Sequence, residues 1–197
     1  MKRQIELQEL ADQNGGILTT AAVISAGISK PTLAAFVRKN GFQYVQRGIY
    51  CAPDAWMDEL YFLQLRCPRT ILSHETALYL HDLCDRTPER FSITARNGYN
   101  PSRLIQDGIK VYTVKEELFE IGKIEKNTYF GHTVYTYDIE RTICDIIRSK
   151  RSVDTQSYQD ALKSYGKRSD KNIHRLLSYA KLFRVEKTIR LYLEVLL

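Results

Sequence analysis

Residues 17–52 read ILTTAAVISAGISKPTLAAFVRKNGFQYVQRGIYCA, and this stretch decides the first part of the fold. Thr19 and Thr20 carry hydroxyls that can cap a helix start, and Ala21, Ala22, Val23, Ile24 and Ala26 continue it with an apolar face. Gly27 stands where that helix ends, because glycine takes left-handed backbone angles without steric cost. Ser29 reads as the N-cap of a second helix, and Pro31 falls in its first turn, where no N–H is missed. Leu33, Phe36 and Val37 follow i, i+3, i+4 spacing and should pack inward, and Gly41 closes the helix. Phe42, Tyr44, Ile49 and Tyr50 then flank a turn at Arg47-Gly48, as in a two-stranded hairpin. Helix, turn, helix and hairpin in this order make a winged helix-turn-helix, whose second helix is built to enter a groove of nucleic acid.

The outward face of that second helix carries Lys30, Thr32, Ala35, Arg38 and Lys39. Small residues beside cationic ones suit close approach to phosphates and to base edges. Ser29 caps the helix and offers a phosphate contact, while Arg47 at the wing tip, with Gln43 and Gln46 beside it, should touch the backbone or minor groove. The competing reading is a helical hairpin of an ordinary core whose Lys and Arg are simply solvated.

A chain of 197 residues holds one large or two small domains, and its charged fraction of 26% and hydrophobic fraction of 44% are ordinary for a globular protein. No run of 18 or more apolar residues occurs, so no membrane-spanning helix is expected. The opening MKRQIELQELADQNGG lacks an apolar signal-peptide core; it reads as an amphipathic helix offering Ile5, Leu7, Leu10 and Ala11 to the interior, ended by Gly15-Gly16. Cys51, Cys67, Cys84 and Cys144 form no C-x-x-C pair, which suits small core residues in a reducing cytoplasm better than a zinc site.

The net charge of +6 is unevenly spread. Residues 1–54 hold 6 Lys and Arg against 4 Asp and Glu, 55–140 hold 10 against 13, and 141–197 hold 13 against 6. A second cationic patch is therefore expected in the C-terminal part: Arg148, Lys150, Arg151, Lys163, Lys167, Arg168, Lys171 and Arg175. Solubilising charge on a helical bundle would read the same way.

Pro53-Asp54 marks a boundary between domains at 1–54 and 55–197. Beyond it, AWMDELYFLQLR (55–66) has helical periodicity, and Ser73 looks like the N-cap of a helix reaching about Leu83. Strand-like pieces follow at Arg90–Ala95, Ile109–Val114 and Thr128–Tyr137, the last folding around Gly131. From Asp138 the pattern is helical, with Ile139, Ile143, Ile146 and Ile147 on one face and further helices near 155–165, 171–183 and 185–196. The expected fold is α+β: a winged helix-turn-helix domain, then a mixed α+β domain ending in several helices.

Catalytic constellations are thin. Ser73, His74 and Glu75 are adjacent on a helix, and neighbouring helical residues face different ways, so they cannot converge as a hydrolase triad. His74 and His81 share a helix face two turns apart, a spacing that suits a metal poorly. No Gly-rich phosphate loop, G-x-S-x-G or paired-carboxylate motif occurs. No catalytic residue, cofactor or metal is expected, and His74 and Glu75 read first as a helix start held by side-chain hydrogen bonds.

The order of GGILTTAAVISAGISKPTLAAFVRKNGFQYVQRGIYCAPD (15–54), SHETALYLHDL (73–83), a β-rich middle and ERTICDIIR (140–148) resembles the AbiEi family, antitoxins of abortive-infection, type IV toxin–antitoxin systems. RGIYCAP (47–53) and the SHETAL helix carry most of the likeness. The resemblance implies a cytoplasmic phage-defence protein that represses its own operon by binding inverted repeats in promoter DNA. It further implies that the C-terminal domain counters a nucleotidyltransferase-type toxin without a stable complex. Two alternatives stay open: an antitoxin acting by direct contact with its toxin, and an enzyme reversing the toxin's modification, for which His74 and Glu75 would be the residues to test.

Overall fold

The computed structural model describes residues 2–196, which fall into two compact units. The first runs to Leu63 and takes in Asn127–His132; the second comprises Gln64–Lys126 and Thr133–Leu197.

In the first unit α1 (Lys2–Gln13) leads to β1 (Ile17–Thr19), α2 (Thr20–Ser25), α3 (Lys30–Lys39), β2 (Gln43–Gln46) and β3 (Ile49–Cys51). The strands form an antiparallel sheet in the order β1-β3-β2. This helix and strand order with that sheet is the winged-helix arrangement read from the sequence. Local chemistry sets each boundary. Thr19 accepts the Ala22 N–H and starts α2; Gly27 turns the chain at φ +71°; Ser29 accepts the Thr32 N–H and starts α3. Leu7, Ala11, Leu18, Val23, Ile28, Leu33, Phe36 and Phe42 form one buried cluster, with Val37 and Tyr50 packed against it. Ile5 departs from expectation: it is 57% exposed, because the inward stripe of α1 passes through Leu7 and Ala11 instead.

The unit continues past the boundary expected at residue 54. Helix α4 spans Glu59–Arg66 rather than starting at residue 55, because Asp58 is its cap and accepts the Tyr61 N–H. Buried Asp58 also receives the Thr128 hydroxyl at 2.5 Å and His132 Nδ1 at 2.8 Å, and the His132 ring stacks on Tyr61. Segment 52–55 closes over the α1–β1 turn, where a Cβ on Gly16 (φ +85°) would lie 2.4 Å from Ala55 Cβ. Gly16→Ala is therefore expected to cost about 2 kcal/mol of unfolding free energy, combining left-handed strain with overlap. Chemical denaturation checks this, and a variant as stable as the parent would refute it.

The second unit holds β4 (Ile71–Leu72), α5 (His74–Leu80), β5 (Ser92–Arg96), α6 (Ser102–Gln106), β6 (Lys110–Val114), α7 (Glu116–Phe119), β7 (Lys123–Asn127) and β8 (Thr133–Tyr137). Four helices end the chain: α8 (Ile139–Arg148), α9 (Thr155–Lys167), α10 (Ile173–Leu182) and α11 (Glu186–Leu196). The five-stranded sheet runs β6-β5-β4-β8-β7, with β4–β8 and β5–β6 parallel and β4–β5 antiparallel. Strands β4 and β7 went unforeseen: β4 has two residues, and β7 (KIEKN) is too polar to alternate. The turn at Gly131 lies between β7 and β8, so most of the TYFG stretch is loop.

Helix α8 was expected to bury one face and instead is buried all round from Glu140 to Ile147. Its apolar side joins Leu78, Tyr158, Leu162, Leu176 and Phe183 in the main core. Its polar side is buried because most of its groups find partners, although Arg141 Nη2 and Asp145 Oδ1 have no hydrogen bond among the described residues. Glu140 accepts the Asn172 N–H at 2.9 Å, and Thr142 donates to the Asp138 carbonyl. Arg141 donates to Asp145 and to the carbonyls of Leu118 and Ile121. No helix among the described residues is long and apolar enough to cross a membrane.

Candidate nucleic-acid interface

Helix α3 presents Ser29, Lys30, Ala35, Arg38 and Lys39 to solvent, with Thr32 half-buried. Ser29 and Thr32 are tied to each other, hydroxyl to hydroxyl, at 2.8 Å, so both serve the cap. Lys39 Nζ donates to Gln4 Oε1 of α1 at 3.3 Å, which turns that flank of α3 toward α1. Neither Lys30 nor Arg38 has a hydrogen-bond or ion-pair partner among the described residues, and α3 contains no acidic residue. The face is cationic and uncompensated.

The wing is short. Its two-residue turn at Arg47-Gly48 folds back so that the Gly48 carbonyl accepts the Thr20 N–H at 2.7 Å. Arg47 and Gln43 remain exposed. Gln46 is half-buried, and its amide donates to the Phe62 carbonyl at 2.9 Å, so it braces the wing from behind. Tyr44 went unsuspected: paired across the sheet with Tyr50 and expected among the apolar flanking residues, it is 64% exposed at the edge strand. Nothing in the sequence separated it from Tyr50, because edge position is a property of the sheet. Ala34 is also exposed beside Arg38, and helical arithmetic alone would have placed it there.

The eight cations of the second patch do not share one condition. Arg168 forms an ion pair with Asp170 and donates to the His81 carbonyl; Lys171 donates to the carbonyls of Gly166 and Arg168. Arg175 lies near Asp138 and Glu140, and Arg148 near Asp145. Lys150 sits over the Tyr158 ring. Arg151, Lys163 and Lys167 are exposed.

The SHET segment is interior. Ser73 occupies the N-cap position of α5 but makes no side-chain cap; its hydroxyl accepts from Thr94 Oγ1 at 2.8 Å. Its own proton is then free for His74 Nδ1, 3.0 Å away, which leaves Nε2 protonated and donating to Ser149 Oγ at 3.1 Å. Burial, then the charges of Arg148, Arg141 and Lys110, hold this imidazole well below its usual range and keep it neutral. The ring stacks on Tyr112 at 3.4 Å, and its backbone is held at φ +48°. Glu75 pairs with Lys110 at 2.6 Å and accepts the Ser92 hydroxyl at 2.9 Å. His81, expected to share a helix face with His74, lies past the end of α5 and bonds the Tyr137 carbonyl; burial lowers it to about 4. These contacts staple α5 to β5, β6 and α8. A cavity of about 250 Å³ opens beside Glu75 and Lys110, with Arg86 and Arg90 opposed by Glu89 and Asp154 on its walls.

Residues 6–53 match the family model described as "Transcriptional regulator, AbiEi antitoxin". The N-terminal segment thus carries a domain of the AbiEi antitoxin and transcriptional-regulator family. The chain is also similar to a solved structure described as the RV2827C protein from Mycobacterium tuberculosis, with a TM-score of 0.58 at 14% identity, over 89% of this chain and 69% of that one. At that identity the likeness carries the fold alone. No curated protein matches.

Proposed function

We propose that the protein is a cytoplasmic DNA-binding autorepressor and antitoxin of a type IV, abortive-infection toxin–antitoxin system. In this reading the winged helix binds inverted repeats in the promoter of its own operon. The second unit counters a nucleotidyltransferase-type toxin without a stable complex and without catalysis of its own. The observation that carries the reading is the solvent-facing, acid-free surface of α3, with Lys30 and Arg38 unpaired, inside an AbiEi-type domain. Ser29, Thr32, Ala35, Lys39, Gln43 and Arg47 frame that surface, and Gln46 supports it from behind. The second patch adds Arg151, Lys163 and Lys167 as its solvent-facing members.

Binding should be strongly salt-dependent. Each cation that neutralises a phosphate releases condensed counterions, so six such contacts give a slope of log affinity against log salt of about −5. The four head cations Lys30, Arg38, Lys39 and Arg47 alone give about −3.5. Anisotropy with a duplex spanning the region upstream of the reading frame measures this. A slope near −1, or full binding by the Arg38→Ala/Lys39→Ala double variant, would sink the proposal. Co-elution of the protein with the toxin would overturn the part that denies a stable complex.

A further inference from the structure

The face of α3 has one hydrogen-bonding group at its centre. An α-helix turns about 100° per residue, so Leu33 and Phe36, both buried, fix the inward direction, and the opposite line passes between Pro31 and Arg38. Ala34 and Ala35 lie on either side of that line. Lys30 and Lys39 are separated by about two and a half turns and so stand on opposite flanks. The Lys39 side faces α1 through Gln4; the Lys30 side is that of Val37, which packs against the buried cluster.

We propose that Arg38 is the specificity-determining residue of this helix, selecting a guanine in the major groove, while Lys30 and Lys39 hold phosphates on the two walls. The inference rests on the DNA-binding reading above. Pro31, Ala34 and Ala35 offer no donor or acceptor in their side chains, and Thr32 is turned aside to Ser29. Base discrimination by hydrogen bonding therefore falls to Arg38, whose guanidinium fork matches the O6 and N7 acceptors of guanine. The short side chains around it let the helix sink deep enough for the fork to reach. A lysine on a flank meets the sugar–phosphate wall first and reads no sequence.

The test uses the full chain and a library of 20-bp duplexes with a randomised centre. Wild-type protein should enrich sites with guanine at a fixed position, and replacing that guanine by 7-deazaguanine, which lacks the N7 acceptor, should weaken binding about ten- to a hundredfold. Arg38→Ala should lose both the guanine and the sensitivity to 7-deazaguanine. Arg38→Lys, which keeps the charge but not the fork, should lose them too while retaining the salt slope. Lys30→Ala should keep the guanine preference, bind every duplex more weakly and lower the slope by about one. Guanine preference that survives Arg38→Ala, or wild-type binding with no sequence preference, overturns the assignment of Arg38 and leaves the DNA-binding reading standing. Wild-type protein that retains no duplex from the library overturns both. Arg38 is exposed, so circular dichroism of its variants should match the parent.

Discussion

Arg141→Met is expected to lower the unfolding free energy by about 3–5 kcal/mol, the usual cost of stranding a buried charge. Arg141 is fully buried, stacked between the rings of Tyr137 and Phe183 with its guanidinium carbon 4.0 and 3.9 Å from their centroids. It satisfies the carbonyls of Leu118 and Ile121 besides the Asp145 carboxylate at 2.9 Å. Removing it leaves those carbonyls short of a donor and Asp145 with only the more distant Arg148, at 3.6 Å, as counter-charge. Burial already raises the Asp145 carboxyl above its usual range, outweighing the pull of Arg141. A raised carboxyl means that the folded chain holds this proton more tightly than the unfolded chain, whose carboxyl titrates near 3.8. Without Arg141 that gap widens. The deficit of the variant relative to wild type should therefore shrink as pH falls from about 7 to 5, where the proton neutralises the stranded group. The Arg141→Met/Asp145→Leu double variant should recover much of the loss, since neither charge then remains. Urea unfolding at the two pH values measures both effects. An Arg141→Met deficit that grows on acidification would contradict this account.

His74→Ala is expected to destabilise the protein by about 3 kcal/mol at neutral pH, through a core cavity and two hydroxyls left unpaired. The variant should also respond differently to acid. In the folded chain His74 stays neutral, whereas in the unfolded chain it takes a proton below about pH 6.5, so the unfolded state gains protons and stability falls as pH drops. Wild type should lose up to about 1.4 kcal/mol per pH unit from this group below that point. His74→Ala should lack that component, so the two stability curves converge toward acid. The outcome bears on function as well. A catalytic His74 would lose toxin rescue while the variant remained as stable as wild type. A structural His74 loses both together, and rescue should return when expression temperature is lowered enough to restore folding.

The region legible from the sequence is the region built by contacts a few residues apart. Thr19, Gly27, Ser29 and the Arg47-Gly48 turn each act on backbone groups within one turn of themselves. The helix-turn-helix and its wing could therefore be drawn from residue order alone, along with the start of α8 at Asp138. The exposure of Lys30 and Arg38 followed from the 3.6-residue repeat once Leu33 and Phe36 had fixed the inward side.

Other features depended on partners far along the chain. The ERTICDIIR helix reads as amphipathic, because Glu140, Arg141 and Asp145 are charged; its acceptors and donors at Leu118, Ile121 and Asn172 lie far away in sequence. The SHET segment reads as a capped helix start, yet Ser149, Thr94, Ser92 and Lys110 draw its side chains inward. Likewise Gln46 and Lys39 look free on paper and are engaged by Phe62 and Gln4. In the helix-turn-helix and its wing, local periodicity settled which backbone segments would be helix, turn or hairpin. Whether a polar side chain meets water or a buried partner was decided only by the tertiary structure, because desolvation is repaid at long range, where a single sequence carries no signal.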